Sequence, residues 1–197
     1  MGTSARATNE AWTADAFLRT DQHAFGDAWR YELIEGVIVA LAAQSPDHGA
    51  ILSGLTAALA TRLAGRPNGC RPEAGSGAGP TNQQRPTARI PDAIIRCGDL
   101  PRVAFDVVSA SELKNWNACE QRRAHLQGIA GIQEIVEIYQ REAAIHVYRR
   151  QEDGQWTFAP VIGLDASMDL QSVGLAVPLS QIYQFVDLDA SGDFGGQ

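Results

Sequence analysis

PDAIIRCGDLPRVAFDVVSAS, residues 91–111, decides how the rest of the chain is read. Residues 92–97 and 102–109 are β-rich, and Gly98-Asp99-Leu100-Pro101 between them is a turn by composition. If the two strands pair as a hairpin, facing residue numbers sum to about 198, and Asp92 stands opposite Asp106. Two carboxylates roughly 5 Å apart repel one another, and each would interrupt an otherwise apolar strand. A shared divalent cation resolves both conflicts, and an oxygen-only donor set suits Mg²⁺ or Mn²⁺. The other reading makes one aspartate a strand-end cap and pairs the other with an arginine. A one-residue slip in register would put the two side chains on opposite faces.

Outward from this hairpin the pattern alternates strands with helices. Toward the N-terminus, YELIEGVIVAL (31–41) reads as two short strands around the tight turn Glu35-Gly36. Ser45-Pro46-Asp47 opens a helix with a capping hydroxyl, an early proline and an acid that complements the helix dipole. Ile51, Leu52, Leu55, Leu59 and Leu63 form its buried stripe, Gly65 and Pro67 end it, and His48 lies one turn before the stripe. Residues 13–18 read as a short helix capped by Thr13. Residues 71–89 are rich in Gly, Pro, Thr, Asn and Gln, which predicts a long loop with room for a ragged strand, and 74–88 as its most mobile part.

Beyond the hairpin, SASELKNW (109–116) reads as a loop. Asn117 with Glu120 three residues on resembles a capping box for a helix reaching about Ala130, stopped by Gly131. QEIVEIYQ, AAIHVYRR and WTFAPV then predict an antiparallel meander, and 179–186 a last short helix. Residues 1–10 and 188–197 read as disordered ends around one domain over 11–187.

Composition is that of an ordinary soluble protein: 45% hydrophobic and 20% charged over 197 residues. No apolar run approaches the roughly 20 residues that span a bilayer, and the N-terminus lacks a signal-peptide core, so the reading is cytoplasmic. Cys70, Cys97 and Cys119 have no zinc-finger spacing and read as reduced thiols. A net charge of −7 disfavours non-specific binding to nucleic acid, yet suits a carboxylate cluster that holds a metal. Lys114 is the chain's only lysine.

The order of four stretches carries a family resemblance. They are YELIEG (31–36), SPDHG (45–49), PDAII (91–95), and FDVVSAS (105–111) followed by GIQEIVEIY (131–139). From about Trp12 to Pro160 the chain resembles the Uma2 family of putative restriction endonucleases, within the PD-(D/E)XK nuclease superfamily. The resemblance implies an α/β (α+β) restriction-endonuclease-like fold, a mixed sheet flanked by helices, with a metal-dependent nuclease site upon it. Carried over by position, Asp92, Asp106, the Val107 carbonyl and Glu32 would hold Mg²⁺ or Mn²⁺, and His48 would lie nearby; read without the resemblance, Glu32 pairs with an arginine such as Arg30 and His48 is a half-buried histidine of the helix's first turn. Asp106 stands where the family usually has glutamate. Its lysine position falls on Arg123, and the expected aromatic one turn later is Gln127. Arginine can clamp a phosphate but, staying protonated, cannot act as a base; Lys114 is the substitute candidate. The resemblance implies DNA as substrate, and a homodimer would suit cutting both strands. The rival reading is a nuclease-fold protein that binds nucleic acid or protein without cutting.

Overall fold

The computed structural model describes residues 12–28, 30–80 and 86–188. Thr13 accepts a hydrogen bond from the Ala16 N–H and so caps α1 (Ala14–Arg19). β1 (Arg30–Ile34) and β2 (Val37–Leu41) pair antiparallel around Glu35-Gly36. Both turn residues have positive φ, 51° and 85°, as a two-residue hairpin turn with the right twist demands.

The Ser45 hydroxyl caps α2 (Pro46–Leu63) by accepting from the His48 N–H. Ile51, Leu55, Leu59 and Leu63 are buried as the periodicity requires, while Leu52 lies at the margin of the stripe. A Cβ on Gly54 would stand 2.4 Å from the Ile182 carbonyl oxygen, so glycine lets α2 meet the C-terminal part of the fold.

β3 (Cys70–Ala74), β4 (Ala93–Cys97) and β5 (Leu100–Val108) follow, then α3 (Ala110–Leu113) and α4 (Trp116–Gln127). β6 (Glu134–Tyr139), β7 (Ala144–Arg150) and β8 (Trp156–Ile162) complete the main sheet, in the order β3-β4-β5-β6-β7-β8. Only β5 and β6 are parallel, and their crossover carries α3 and α4. β9 (Ser167–Leu170), β10 (Leu175–Pro178) and α5 (Leu179–Ile182) close the chain. This is the expected mixed sheet flanked by helices.

Strand alternation sorts the sheet's residues. Ala93, Ile95, Val103, Phe105, Val107, Val136 and Ile138 face α2 in the larger core. Ile94, Ala104 and Ile135 face the other way, against Leu126, Ile129 and Ile132. Asp106 follows the second set by parity and therefore points toward α4.

Several local expectations are corrected. Residues 71–74, the first part of the expected loop, form with Cys70 a regular edge strand, β3, where the composition leaves room only for a ragged one. Farther along, Ala78, Thr87, Ala88 and Arg89 are buried, and Ala88 exchanges backbone hydrogen bonds with Leu33. Residues 81–85, the middle of the segment expected to be most mobile, lie outside the described residues, as do 1–11 and 189–197. SASELKNW is not a loop: Ser109 and Glu112 make a reciprocal capping box that starts α3. The box expected at Asn117 and Glu120 is absent, since α4 already begins at Trp116, and it ends at Gln127 rather than near Ala130. The last helix stops at Ile182. The β9–β10 hairpin was not anticipated. Cys70 and Cys97, expected as thiols, are cross-strand partners joined by a disulfide; Cys119 is free.

Candidate active site

The hairpin has the expected register. Ala93 faces Phe105, Ile94 faces Ala104 and Ile95 faces Val103, with a bulge confined to the far end at Ile95/Arg96. One step beyond Ala93, Asp92 turns its carboxylate onto the neighbouring strand, where Oδ2 accepts from the Val107 N–H at 2.8 Å. Arg30 NH1 and Gln44 Nε2 reach Oδ1 at 3.0 and 2.9 Å. His48 Nε2 lies 3.2 Å from Oδ2. The Gln140 amide donates to His48 Nδ1 at 3.3 Å and so leaves the ring proton on Nε2, facing Asp92. Burial would raise the Asp92 pKa, but the His48 contact and the charge of Arg30 outweigh it and hold the carboxyl at about 2. Asp92 is therefore an anion fixed by four neighbours from β1, the α2 entry and β5.

Asp106 has the opposite environment. Its Oδ1 lies 2.8 Å from Arg122 NH2 of α4, and that nitrogen also stands 3.9 Å from Glu32 Oε1. Neither Asp106 Oδ1 nor Arg122 Nε or NH2 is aligned in a hydrogen bond among the described residues, although all three atoms are buried. Burial pushes the Asp106 carboxyl up to about 6, Arg122 opposes the rise, and the charges of Asp92 and Glu32 add to it. Burial would likewise lower Arg122, yet the surrounding carboxylates, Asp106 first, keep it firmly protonated.

Glu32, on β1, is fully buried. Oε2 accepts from Arg89 NH1 at 2.7 Å and Oε1 from the Ile90 N–H at 2.9 Å. These contacts and the charge of Arg122 overcome desolvation and lower its pKa. Arg89 is fixed in turn by His125 of α4, whose Nδ1 accepts from both Nε (3.1 Å) and NH2 (2.8 Å). Burial and the charge of Arg89 lower the His125 pKa, which keeps that nitrogen free to accept. A cleft of about 340 Å³ opens beside Glu32, Arg89 and Arg122, walled by Ile34, Leu41 and α3–α4 residues.

Glu32, His48, Asp92 and Asp106 are thus brought together, each on a different element, with Val107 in contact with Asp92. Arg123 is not among them. Its NH1 binds Glu137 Oε1 at 2.6 Å and the Tyr148 hydroxyl at 2.9 Å, and Arg122 takes the place expected of it. The signal that could have found Arg122 is helical spacing: 122, 126 and 129 share a face, and Leu126 and Ile129 are buried. Arg30, read as a possible partner of Glu32, pairs instead with Asp92, while Gln44, Arg89 and Gln140 carried no such signal, because their partners are distant in sequence.

Residues 14–180 match the family model described as Uma2, putative restriction endonuclease. The chain belongs to the Uma2 family. A crystal structure of a putative nuclease belonging to DUF820 from Anabaena variabilis superimposes on this Uma2 chain with a TM-score of 0.62. It is 16% identical, over 88% of this chain and 98% of that one, a likeness that concerns the fold. No curated protein matches. The family is one of restriction-endonuclease-like nucleases, and no helix among the described residues is long and apolar enough to cross a membrane.

Among the described residues, no three His, Cys, Asp or Glu side chains form a ready metal cage. The reason is the arginines: Arg30, Arg89 and Arg122 each take a carboxylate of the Uma2 site. The donors themselves nevertheless fit a hard divalent cation. They are oxygens, Asp106 Oδ1 is buried without a hydrogen bond, and a cationic nitrogen already stands between Asp106 and Glu32.

Proposed function

We propose that this Uma2 protein is a metal-dependent endonuclease that hydrolyses phosphodiester bonds in DNA. The observation that carries the reading is the convergence of three buried carboxylates, from β1, the entry to β4 and β5, one of them, Asp106, raised to about 6 by burial, with the charges of the other two adding to the rise. Asp92, Asp106, Glu32 and the Val107 carbonyl would hold Mg²⁺ or Mn²⁺. Such an ion, when bound, lowers the pKa of water and polarises a phosphoryl oxygen.

The chain's own groups have separate tasks. Asp92 is ionised at any working pH, and its position is set by His48, Arg30, Gln44 and the Val107 N–H. Glu32 is kept anionic by Arg89, which His125 orients. Arg122 lines the open cleft, and its Nε and NH2, buried against Asp106, make no aligned hydrogen bond; a phosphate oxygen entering as that pair opens would supply the acceptor they lack and leave Asp106 to its other ligand. A guanidinium there stabilises charge building on the phosphoryl oxygens and cannot serve as the base. Arg122 thereby replaces Arg123 in the role that the resemblance gave the family's lysine. The setting is proposed to be cytoplasmic and the assembly a homodimer.

One observation favours a second reading, that of a nuclease-fold binder that does not cut: every carboxylate of the site already has an arginine partner. Calorimetric titration of Mg²⁺ and Mn²⁺ into wild type and Asp92→Ala, with cleavage of plasmid DNA measured beside it, separates the two. The enzyme takes up metal in an Asp92-dependent way and nicks DNA. Absence of both effects in wild type leaves the binder.

A further inference from the structure

Arg123, freed from the acidic site, lies in a ribbon of π-systems on the same face of the sheet. Its guanidinium carbon stands 4.4 Å from the Tyr148 ring centre and 5.6 Å from that of Trp116. Tyr148 packs on Phe158 at 5.3 Å with the planes tilted by 40°. His146 meets Phe158 and Tyr139 edge-on, each at 4.7 Å, and its Nδ1 lies 2.6 Å from the Tyr139 hydroxyl. Two of these rings remain open to solvent: Trp116 is 44% exposed and Phe158 52%. Register connects the ribbon to the site, because Asp106 faces Glu137, Glu137 faces His146, and Glu137 is the carboxylate that grips Arg123.

We propose that the ribbon Trp116–Arg123–Tyr148–Phe158 is a stacking platform for the bases of an unpaired nucleic-acid strand, which makes single-stranded or locally opened DNA the substrate class of the adjoining site. The inference rests on the phosphodiesterase reading above. Bases in a duplex have their faces covered by their neighbours, whereas an unpaired strand offers them to exposed rings. Charge points the same way. At a net −7, and with Arg123 neutralised by Glu137, the chain gains little from releasing counterions, so stacking must supply the affinity. Tyr148 and Phe158 occupy the same-face row next to that of Asp106, on β7 and β8, two and three strands along the sheet from β5, so a strand laid on the ribbon can extend across β6 to the acidic site. A second copy of the chain fits less well, because β8 is a free edge interrupted by Pro160, which has no N–H to offer another strand.

The test is fluorescence anisotropy of a labelled twelve-residue oligothymidylate, and of a duplex of equal length, in EDTA so that nothing is cut. The single strand should bind more tightly than the duplex, with a shallow dependence on salt. Trp116→Ala and Phe158→Ala alter exposed rings and leave the core intact; each should weaken single-strand binding roughly ten-fold or more, the scale of one lost base–aromatic stack. Equal binding of the two forms overturns the platform, as do variants that bind like wild type. A dimer in light scattering that Phe158→Ala dissociates also overturns it, since the rings then serve a second copy. Cleavage assays with Mg²⁺ keep the two claims apart. A strand bound through Trp116 and Phe158 yet never cut leaves the platform standing and removes the nuclease; duplex cleavage indifferent to both variants does the reverse.

Discussion

Replacing Asp92 by asparagine keeps the side chain's volume and one acceptor oxygen, but removes the charge that Arg30, Gln44, His48 and the Val107 N–H surround. The side chain is 3% exposed, so solvent screens these contacts little. A carboxyl held at about 2, against an ordinary value near 3.9, contributes about 2–3 kcal/mol of stability at neutral pH. The sign follows from linkage. The folded pKa is depressed, so the contribution is complete above roughly pH 4 and is lost as pH falls through about 2. Urea denaturation of wild type and Asp92→Asn in EDTA, at steps from pH 7 to pH 2, should show a gap of about 2–3 kcal/mol that closes between pH 4 and pH 2. Equal stability at pH 7, or a gap that persists unchanged to pH 2, would refute the reasoning, because Asp92 would then not be the fixed anion described here.

Arg122→Ala should lower cleavage by about 10²–10³-fold, the usual cost of one preorganised donor to developing charge, and Arg122→Lys should keep part of the activity; single-turnover rates decide it. Asp106 titrates the other way from Asp92. Its folded pKa is raised, so it favours the fold below roughly pH 4 and loses that contribution as pH rises through about 6. Metal must displace its proton, so Mg²⁺ affinity measured by calorimetry should increase from pH 5 to pH 7, and flat affinity across that range would place the ion elsewhere. Arg89→Met should destabilise the fold by about 3–5 kcal/mol, because Glu32 is left buried without its partner, and Glu32→Gln in the same chain should recover much of the loss in denaturant melts.

Local signals were legible where neighbours in sequence are also neighbours in space. The Thr13 and Ser45 caps, the Glu35-Gly36 turn and the α2 stripe all depend on contacts within a few residues, and each stands as expected. The sum of 198 worked for the same reason, since a short turn fixes the register near it. Composition was ambiguous at 71–74: Gly and Pro nearby suggested a loop with at most a ragged strand, but β4 offered an edge and β3 paired with it over five residues. Capping chemistry was expected at Asn117 and found at Ser109, where the hydroxyl and Glu112 complete each other.

For the candidate site, the sequence by itself set Asp92 opposite Asp106, and the family resemblance added Glu32 and His48 to them. Strand period is a one-dimensional quantity, and it carries the two aspartates to one side of the β4–β5 hairpin, whereas Glu32 comes from β1 and His48 from α2. Tertiary structure alone decided which cations meet those acids. Arg122 and Arg123 are adjacent in sequence, yet about 100° of helix rotation sends one to Asp106 and the other to Glu137 and Tyr148. Arg30 and Arg89 reach their carboxylates only because β1 lies beside the segment that enters β4. An ion pair is set by distance and burial, and neither is written in the order of residues until helix and sheet have packed.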